Sequence, residues 1–453
     1  MKTKLMKSLL TIACLLSSIG VSAYDITVNG IYYNIESFTD MTCSVTYGDV
    51  KYEGDITIPE KVTYNNRTLT VISIGASAFE KCSNLTSVNI PNSVTNIGSY
   101  AFMDCSNLVN ITVPNSLTNI TERAFCNCSN LTNITIPNTV QSIGQNAFSG
   151  TGITNITIPN SVTYIGMGAF MGCQNLTNVT IPNSVTYIGK SLFYGCSNLT
   201  SVTIPNSIKN IEDLAFYNCI SLTNITIPNS IKIIGESAFG RCTSLKNISI
   251  PSSVNSIKNS AFEKCSMLEK LVIEDGENTL DLGYNTYDRF TLGKGLFYDC
   301  PLKYLYVGRK LSYEKENSYG RHPFYNCIGN ITEITFGQNI TEIQEYIMYS
   351  DKLETITLHN PTPPSVPSSA YFTNAQYMNL NVYVPKGSLE AYQKANVWQN
   401  FWGLQEKELT GMETVVADDC NTDNVIYDMQ GRRLDAPKAG LNIINGKKVM
   451  IRK

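Results

Sequence analysis

Charge is scarce in this chain. Asp, Glu, Lys and Arg make up 16% of its 453 residues, against about 25% in an ordinary globular protein. The net charge is only −3, which gives no electrostatic reason to expect nucleic acid or an anionic membrane as a partner. Histidine is scarcer still, with His322 and His359 alone. Neither stands in a metal-ligand spacing or beside a nucleophile motif. Between residues 82 and 262 there are twelve charged side chains, too few to furnish much acid–base chemistry. No glycine-rich phosphate loop is present. The sequence therefore implies no catalytic centre, metal or cofactor, and both histidines read as surface or packing residues.

Long apolar runs are also lacking. Beyond the N-terminus no stretch approaches the roughly 18 residues that a membrane helix needs. The N-terminus itself has Lys2, Lys4 and Lys7, an apolar segment from Ser8 to Ile19, and the small residues Val21-Ser22-Ala23 before Tyr24. This is the pattern of a signal peptide spanning 1–23. Cys14 lies within the apolar segment, but Thr11-Ile12-Ala13 before it is a poor lipidation signal.

What the chain has in abundance is self-similarity. A unit such as Leu131-Thr-Asn-Ile134-Thr-Ile136-Pro137-Asn-Thr-Val140-Gln-Ser-Ile143-Gly-Gln-Asn-Ala147-Phe148 recurs with Phe at 79, 102, 125, 148, 170, 193, 216, 239 and 262. The spacing is 23 residues, with a single 22 at Gly150-Thr151-Gly152. Phe297, Phe324 and Ile347 continue the series, giving twelve coils. In Leu-x-x-Ile-x-Ile the two isoleucines share one strand face because strand side chains alternate. Proline then ends the strand, since it has no N–H to donate. The Ala-Phe block with the position three beyond has the spacing of one helical turn, and the glycine after the repeat isoleucine reads as a turn residue. No unit can bury this apolar set alone, so a stacked solenoid is expected.

Cysteine sits three residues after most Phe anchors, at 82, 105, 128, 173, 196, 219, 242, 265, 300 and 327. Such a column can be read as disulfides between coils or as small buried hydrophobes. Thr151 and Ser350 interrupt it and leave odd neighbours, which favours the second reading. Asn-x-Thr triplets recur in register with the repeat, and the period itself accounts for them.

The segment 24–75 lacks the period and reads as an N-terminal β cap to a solenoid spanning 76–360. Two insertions, near 274–293 and 308–322, stretch the later spacings to 35 and 27 residues. Residues 361–406 read as a C-terminal cap, with Trp398, Phe401 and Trp402 sealing the last coil. Residues 407–453 read as a small β module with strands at Val425–Leu434 and Leu441–Arg452.

Outward strand positions are Thr and Asn in the regular coils, as at Thr132, Asn133 and Thr135. Such a surface serves solubility, or offers hydroxyls and amides to a glycan. In the later coil Leu302-Lys-Tyr-Leu305-Tyr-Val307 the outward positions become Lys303, Tyr304 and Tyr306. The neighbouring insertions add Tyr284, Tyr287, Arg289, Phe290, Tyr313 and Tyr319. Insertions in a solenoid gather on one face, and Tyr and Arg dominate interface energetics. These nine are the candidate ligand-binding residues.

The pattern Leu-x-x-Ile-x-Ile-Pro-Asn-Ser-Val-x-x-Ile-Gly-x-x-Ala-Phe-x-x-Cys at period 23 resembles the BspA-type leucine-rich repeat over about 79–358, with 176–198 a near-consensus copy. Tyr24-Asp25 through Asn34 and Val384 through Tyr392 look like the flanks of that family in Bacteroides-like bacteria. Tyr427-Asp-Met-Gln-Gly-Arg-Arg433 with Gly446 to Val449 is similar to short C-terminal sorting modules of that phylum. The resemblance implies a surface protein that adheres to host extracellular proteins or to other bacteria, with no catalytic residue.

Overall fold

The computed structural model describes residues 23–283, 295–313, 322–324, 327–344, 347, 348, 350–366 and 372–409, with the short strands Ile426–Tyr427, Arg433–Leu434, Gly440–Ile444 and Lys447–Ile451. The expected signal peptide lies outside the described residues. Two compact units divide the chain: Met1–Ser244 with Ser256–Cys265, and Leu245–Asn255 with Ser266–Lys453.

The first unit opens with a β-sheet. Ile26–Val28 pairs antiparallel with Ile31–Ser37, and Lys61–Tyr64 with Arg67–Ile74. Each hairpin turns on two consecutive left-handed residues, Asn29-Gly30 and Asn65-Asn66. This is the two-residue turn whose twist matches paired strands, and Asn and Gly tolerate it best. Arg67–Ile74 then pairs parallel with Asn96–Ile97, which joins the sheet to the first coil. The Tyr52 ring lies 4.5 Å from that of Phe79, and its hydroxyl donates to the Thr46 carbonyl at 2.6 Å, so an aromatic ring covers the end of the apolar file.

Within the coils each repeat position meets its own equivalent one period later. The Phe rings from 79 to 262 form one row, with centroids 4.9–5.7 Å apart and planes within 2–20° of each other. Parallel ladders run in register: Asn155, Asn178 and Ser201 begin one set of strands, while Ser142, Tyr164 and Tyr187 mark another. Ser161, Ser184 and Ser207 each donate to the carbonyl of the preceding coil's valine, at 2.5–2.6 Å. Chemical identity along a column lets these three hydroxyls repeat one solution, whereas the equivalent Ser93 and Ser230 hydroxyls are buried without a partner.

The Ala-Phe block takes the form of overlapping tight turns. Ala78 N–H bonds to Gly75 and Cys82 N–H to Phe79, with Ser77 and Lys81 left-handed. The N–H groups of Ser77, Phe79 and Lys81 all point the same way, onto the carbonyls of Ser99, Ala101 and Met103 in the next coil. Left-handed residues recur at both positions in later coils, as at Arg123 and Asn127. Where a glycine precedes this block it allows close approach, although Thr121, Glu212 and Lys258 hold the same place in other coils. A Cβ on Gly144 would stand 2.7 Å from the backbone nitrogen of Glu122, and one on Gly166 2.7 Å from that of Gln145.

All twelve described cysteines are buried free thiols. From Cys105 to Cys265 each regular thiol donates to the Phe carbonyl of the coil before it, at 3.0–3.2 Å. The column is thus a hydrogen-bonded packing file. Burial pushes the thiols up, Cys105, Cys173 and Cys242 to about 12.

The second unit contains a parallel sheet in the order Asn247–Ile250, Lys270–Ile273, Tyr304–Val307, Glu333–Phe336, Thr355–Leu358, Asn381–Pro385 and Gly403–Lys407. A short helix, Asn374–Asn379, starts at a capping box between Thr373 and Gln376. A second, Leu389–Lys394, precedes the turn that buries Trp398. The indole of Trp398 donates to the Pro364 carbonyl at 2.8 Å, and the Tyr392 hydroxyl to that of Asn360 at 2.9 Å. Phe401 is buried against Phe372. Trp402, expected to seal the same end, is instead 77% exposed, because its neighbour at 401 takes the inward place. The four C-terminal strands form an antiparallel sheet in the order Arg433–Leu434, Ile426–Tyr427, Gly440–Ile444, Lys447–Ile451.

Candidate ligand surface

In the first unit the strand face is amide and hydroxyl. Its side chains bond mainly to one another: Thr200 and Ser201 both donate to the Asn178 side-chain Oδ1, and Thr177 to that of Asn155. A shallow groove of about 1010 Å³ runs along this face between Asn115 and Pro205, floored by the rows of Asn133, Asn155 and Asn178.

The second unit carries different chemistry on the same strand positions. One register column reads Asn247, Lys270, Tyr304, Glu333, Thr355, Asn381, and another Ser249, Val272, Tyr306, Thr335, Thr357, Tyr383. The Lys270 ammonium lies 4.7 Å above the Tyr304 ring, and that of Lys407 lies 4.8 Å above Tyr383. Lys303 is exposed and pairs with Glu269 at 2.7 Å.

The proline that ends the regular strands is replaced here by Glu274, Gly308, Gly337 and His359. The two glycines open space. A Cβ on Gly308 would collide with the backbone of Glu274 and Asp275, and one on Gly337 with the Asp275 carboxylate. Asp275 uses that room to accept a bond from the Tyr306 hydroxyl, 3.0 Å to each carboxylate oxygen. Burial, and then the Asp275 charge, push the Tyr306 hydroxyl well above the usual tyrosine range. It therefore stays protonated as the donor. The His359 ring stands edge-on to Tyr306 at 6.3 Å, and burial holds its imidazole below the ordinary histidine value. Tyr306 and His359 wall a cavity of about 160 Å³ with Tyr304, Glu333 and Thr357.

Arg309 is fully buried. Its guanidinium donates to the carbonyls of Ser252 at 2.7 Å and Pro251 at 2.9 Å, passing Gly276, where a Cβ would be 3.1 Å from the Arg309 Cδ. Among the described residues no cluster of three or more His, Cys, Asp or Glu side chains could hold a metal ion.

Of the nine candidates, Lys303 is exposed and Tyr304 half-buried. Tyr306, expected to face outward, is only 4% exposed, since Gly308 and Gly337 let its side chain lie down toward Asp275. Tyr313 is half-buried, edge-on to Phe324 at 6.4 Å. Tyr284, Tyr287, Arg289, Phe290 and Tyr319 lie outside the described residues. Lys270, Glu333, Tyr383 and Lys407 share the surface with Tyr304, yet sequence reading passed over them and took His359 only for a surface or packing residue. The signal available was the loss of proline after Ile-x-Ile in four successive coils.

Three comparisons place this geometry. The profile described as BspA type Leucine rich repeat region, in six copies, matches residues 55–177, 163–291 and 290–396. Among solved structures, a leucine-rich repeat protein from Bacteroides ovatus is 29% identical. The match covers 85% of this chain and 100% of that one, with a TM-score of 0.59. A leucine rich cell surface protein from Faecalibacterium prausnitzii is 23% identical over 88% of this chain and 97% of its own, with a TM-score of 0.42. The search of curated proteins finds no match. Among the described residues no helix is long and apolar enough to cross a membrane. With repeat, register and family profile in agreement over most of its length, the chain belongs to the BspA-type leucine-rich repeat family.

Proposed function

We propose that the chain is an exported, non-catalytic binding protein, held at the cell surface or secreted, that adheres to host extracellular proteins or to surface proteins of other bacteria. The family is one of repeat proteins that generally bind proteins, and the signal-peptide pattern at 1–23 supports export. The observation that carries the reading is the change of column chemistry in the second unit, where Lys270, Tyr304, Glu333 and Tyr383 replace Asn and Thr on one strand face. Aromatic side chains with a polar tip give large contact area at low entropic cost, and they concentrate binding energy.

The test is capture of matrix proteins and bacterial surface proteins by the immobilised full chain. Tyr304→Ala is expected to abolish most of the capture and leave the urea midpoint unchanged; full capture by that variant would overturn the reading. A second reading, glycan capture, is favoured by the uncharged groove of the first unit. Signals on a glycan array that vanish in Asn155→Ala with Asn178→Ala would support it, and silence there would dismiss it.

A further inference from the structure

The strand Gly403–Lys407 stands last in the parallel sheet of the second unit, four places along from Tyr304–Val307. At the usual strand spacing that separation is roughly 19 Å. A chain continuing along its strand would leave the sheet at its edge. Yet Lys407, Glu408 and Leu409 line the same 160 Å³ cavity as Tyr304 and Tyr306, so the chain turns back over the strand face as the strand ends.

Two contacts between register neighbours of the last two strands fix the segment where it leaves the sheet. The Lys407 ammonium rests on the Tyr383 ring at 4.8 Å. The Glu408 carboxylate pairs with Lys386 at 2.8 Å. Leu409 is half-buried while residues 405–408 are all exposed, which marks it as the apolar anchor. Exposed ion pairs and exposed cation–π contacts are individually weak, so such a clasp holds the face closed and still yields to a stronger partner.

We propose that Lys407–Leu409 form a strap over the strand face of the second unit, and that it must be lifted before a partner reaches Tyr304. The strap rests on the binding reading above only for its consequence, since the contact can be tested without any ligand. In the full chain, Leu409→Cys with Thr357→Cys is expected to be joined by a short bis-maleimide, identified by mass spectrometry of the digest. Leu409→Cys with Asn247→Cys, on the far strand of the same sheet, is expected to remain unjoined. Equal yields from the two pairs, or none from the first, would overturn the strap.

A second readout uses tetranitromethane on the full chain. Leu409→Lys is expected to raise nitration of Tyr304 several-fold and to leave the buried Tyr306 unmodified. Unchanged nitration of Tyr304 would show that the segment shields nothing and would overturn the proposal. Loss of capture in Tyr304→Ala without the cross-link sinks the strap alone. A cross-link with capture intact in Tyr304→Ala sinks the binding reading and, with it, the strap's competition for a partner.

Discussion

The two units use the same coil and arrive at different surfaces. In the first, a constant period of 23 residues with a single 22 sets each side chain on its own equivalent. Phe stacks on Phe, thiol follows thiol, and the amides of the strand face bond sideways to their neighbours. In the second, spacings of 35 and 27 residues bring unlike residues together. Arg309 then reaches back to Pro251 and Ser252, and Tyr306 turns down to Asp275. Regular columns bond largely among themselves and leave little for a partner; irregular ones leave a cavity, charge and aromatic rings.

The largest effect expected from this contrast is alkaline unfolding of the first unit. Its thiols carry raised values in the folded chain, about 12 for Cys105, Cys173 and Cys242, against 9.0 when unperturbed. The folded state therefore holds protons that the unfolded state gives up. Stability is fully present below pH 9 and falls as pH rises from there toward 12, by roughly 1.4 kcal/mol per pH unit for each such thiol. With Cys14 and Cys420 replaced by Ser, thiolate absorbance should appear only together with loss of circular dichroism. A thiolate signal near pH 9 in a chain that keeps its fold would break the packing-file account.

Next in size is the aromatic row. Phe170→Ala, deleting one ring from the middle of the stack, is expected to cost about 3–5 kcal/mol, read as a lower urea midpoint. A cost under about 1 kcal/mol would mean that the coils do not depend on one another as stacked repeats must.

In the second unit, Arg309→Met keeps the apolar stem and strips two carbonyls, that of Pro251 buried, of their donor. A loss of about 1–3 kcal/mol is expected, measured by the same unfolding curves. Tyr306→Phe leaves the Asp275 carboxylate without its hydroxyl and is expected to cost about 1–3 kcal/mol. Tyr304→Ala is the smallest, within about 0.5 kcal/mol. That difference between two tyrosines separated by a single residue sharpens the comparison further. Equal stability losses at 304 and 306 would contradict the different burial found for them.

The repeat was legible because its signals are local. Leu-x-x-Ile-x-Ile, the proline and the Ala-Phe-x-x-Cys block lie within one period, and stacking follows from recurrence. The interruptions at Thr151 and Ser350 pointed correctly to free thiols. Tyr306 was misread because strand alternation assigns a direction but not a depth; Gly308 and Gly337, in its own coil and the next, decide whether an outward side chain stands up or lies down. Trp402 was misread for a related reason, since three clustered aromatics do not announce which of them turns inward.

The sequence by itself determined the period, the apolar files and the family, because each is a relation among residues close along the chain. The tertiary structure alone decided which outward residues stay outward, where Arg309 finds its acceptors and that the chain after Lys407 turns back over the strand face. Those outcomes depend on side chains from different coils, separated by insertions whose lengths conceal the register that brings them together.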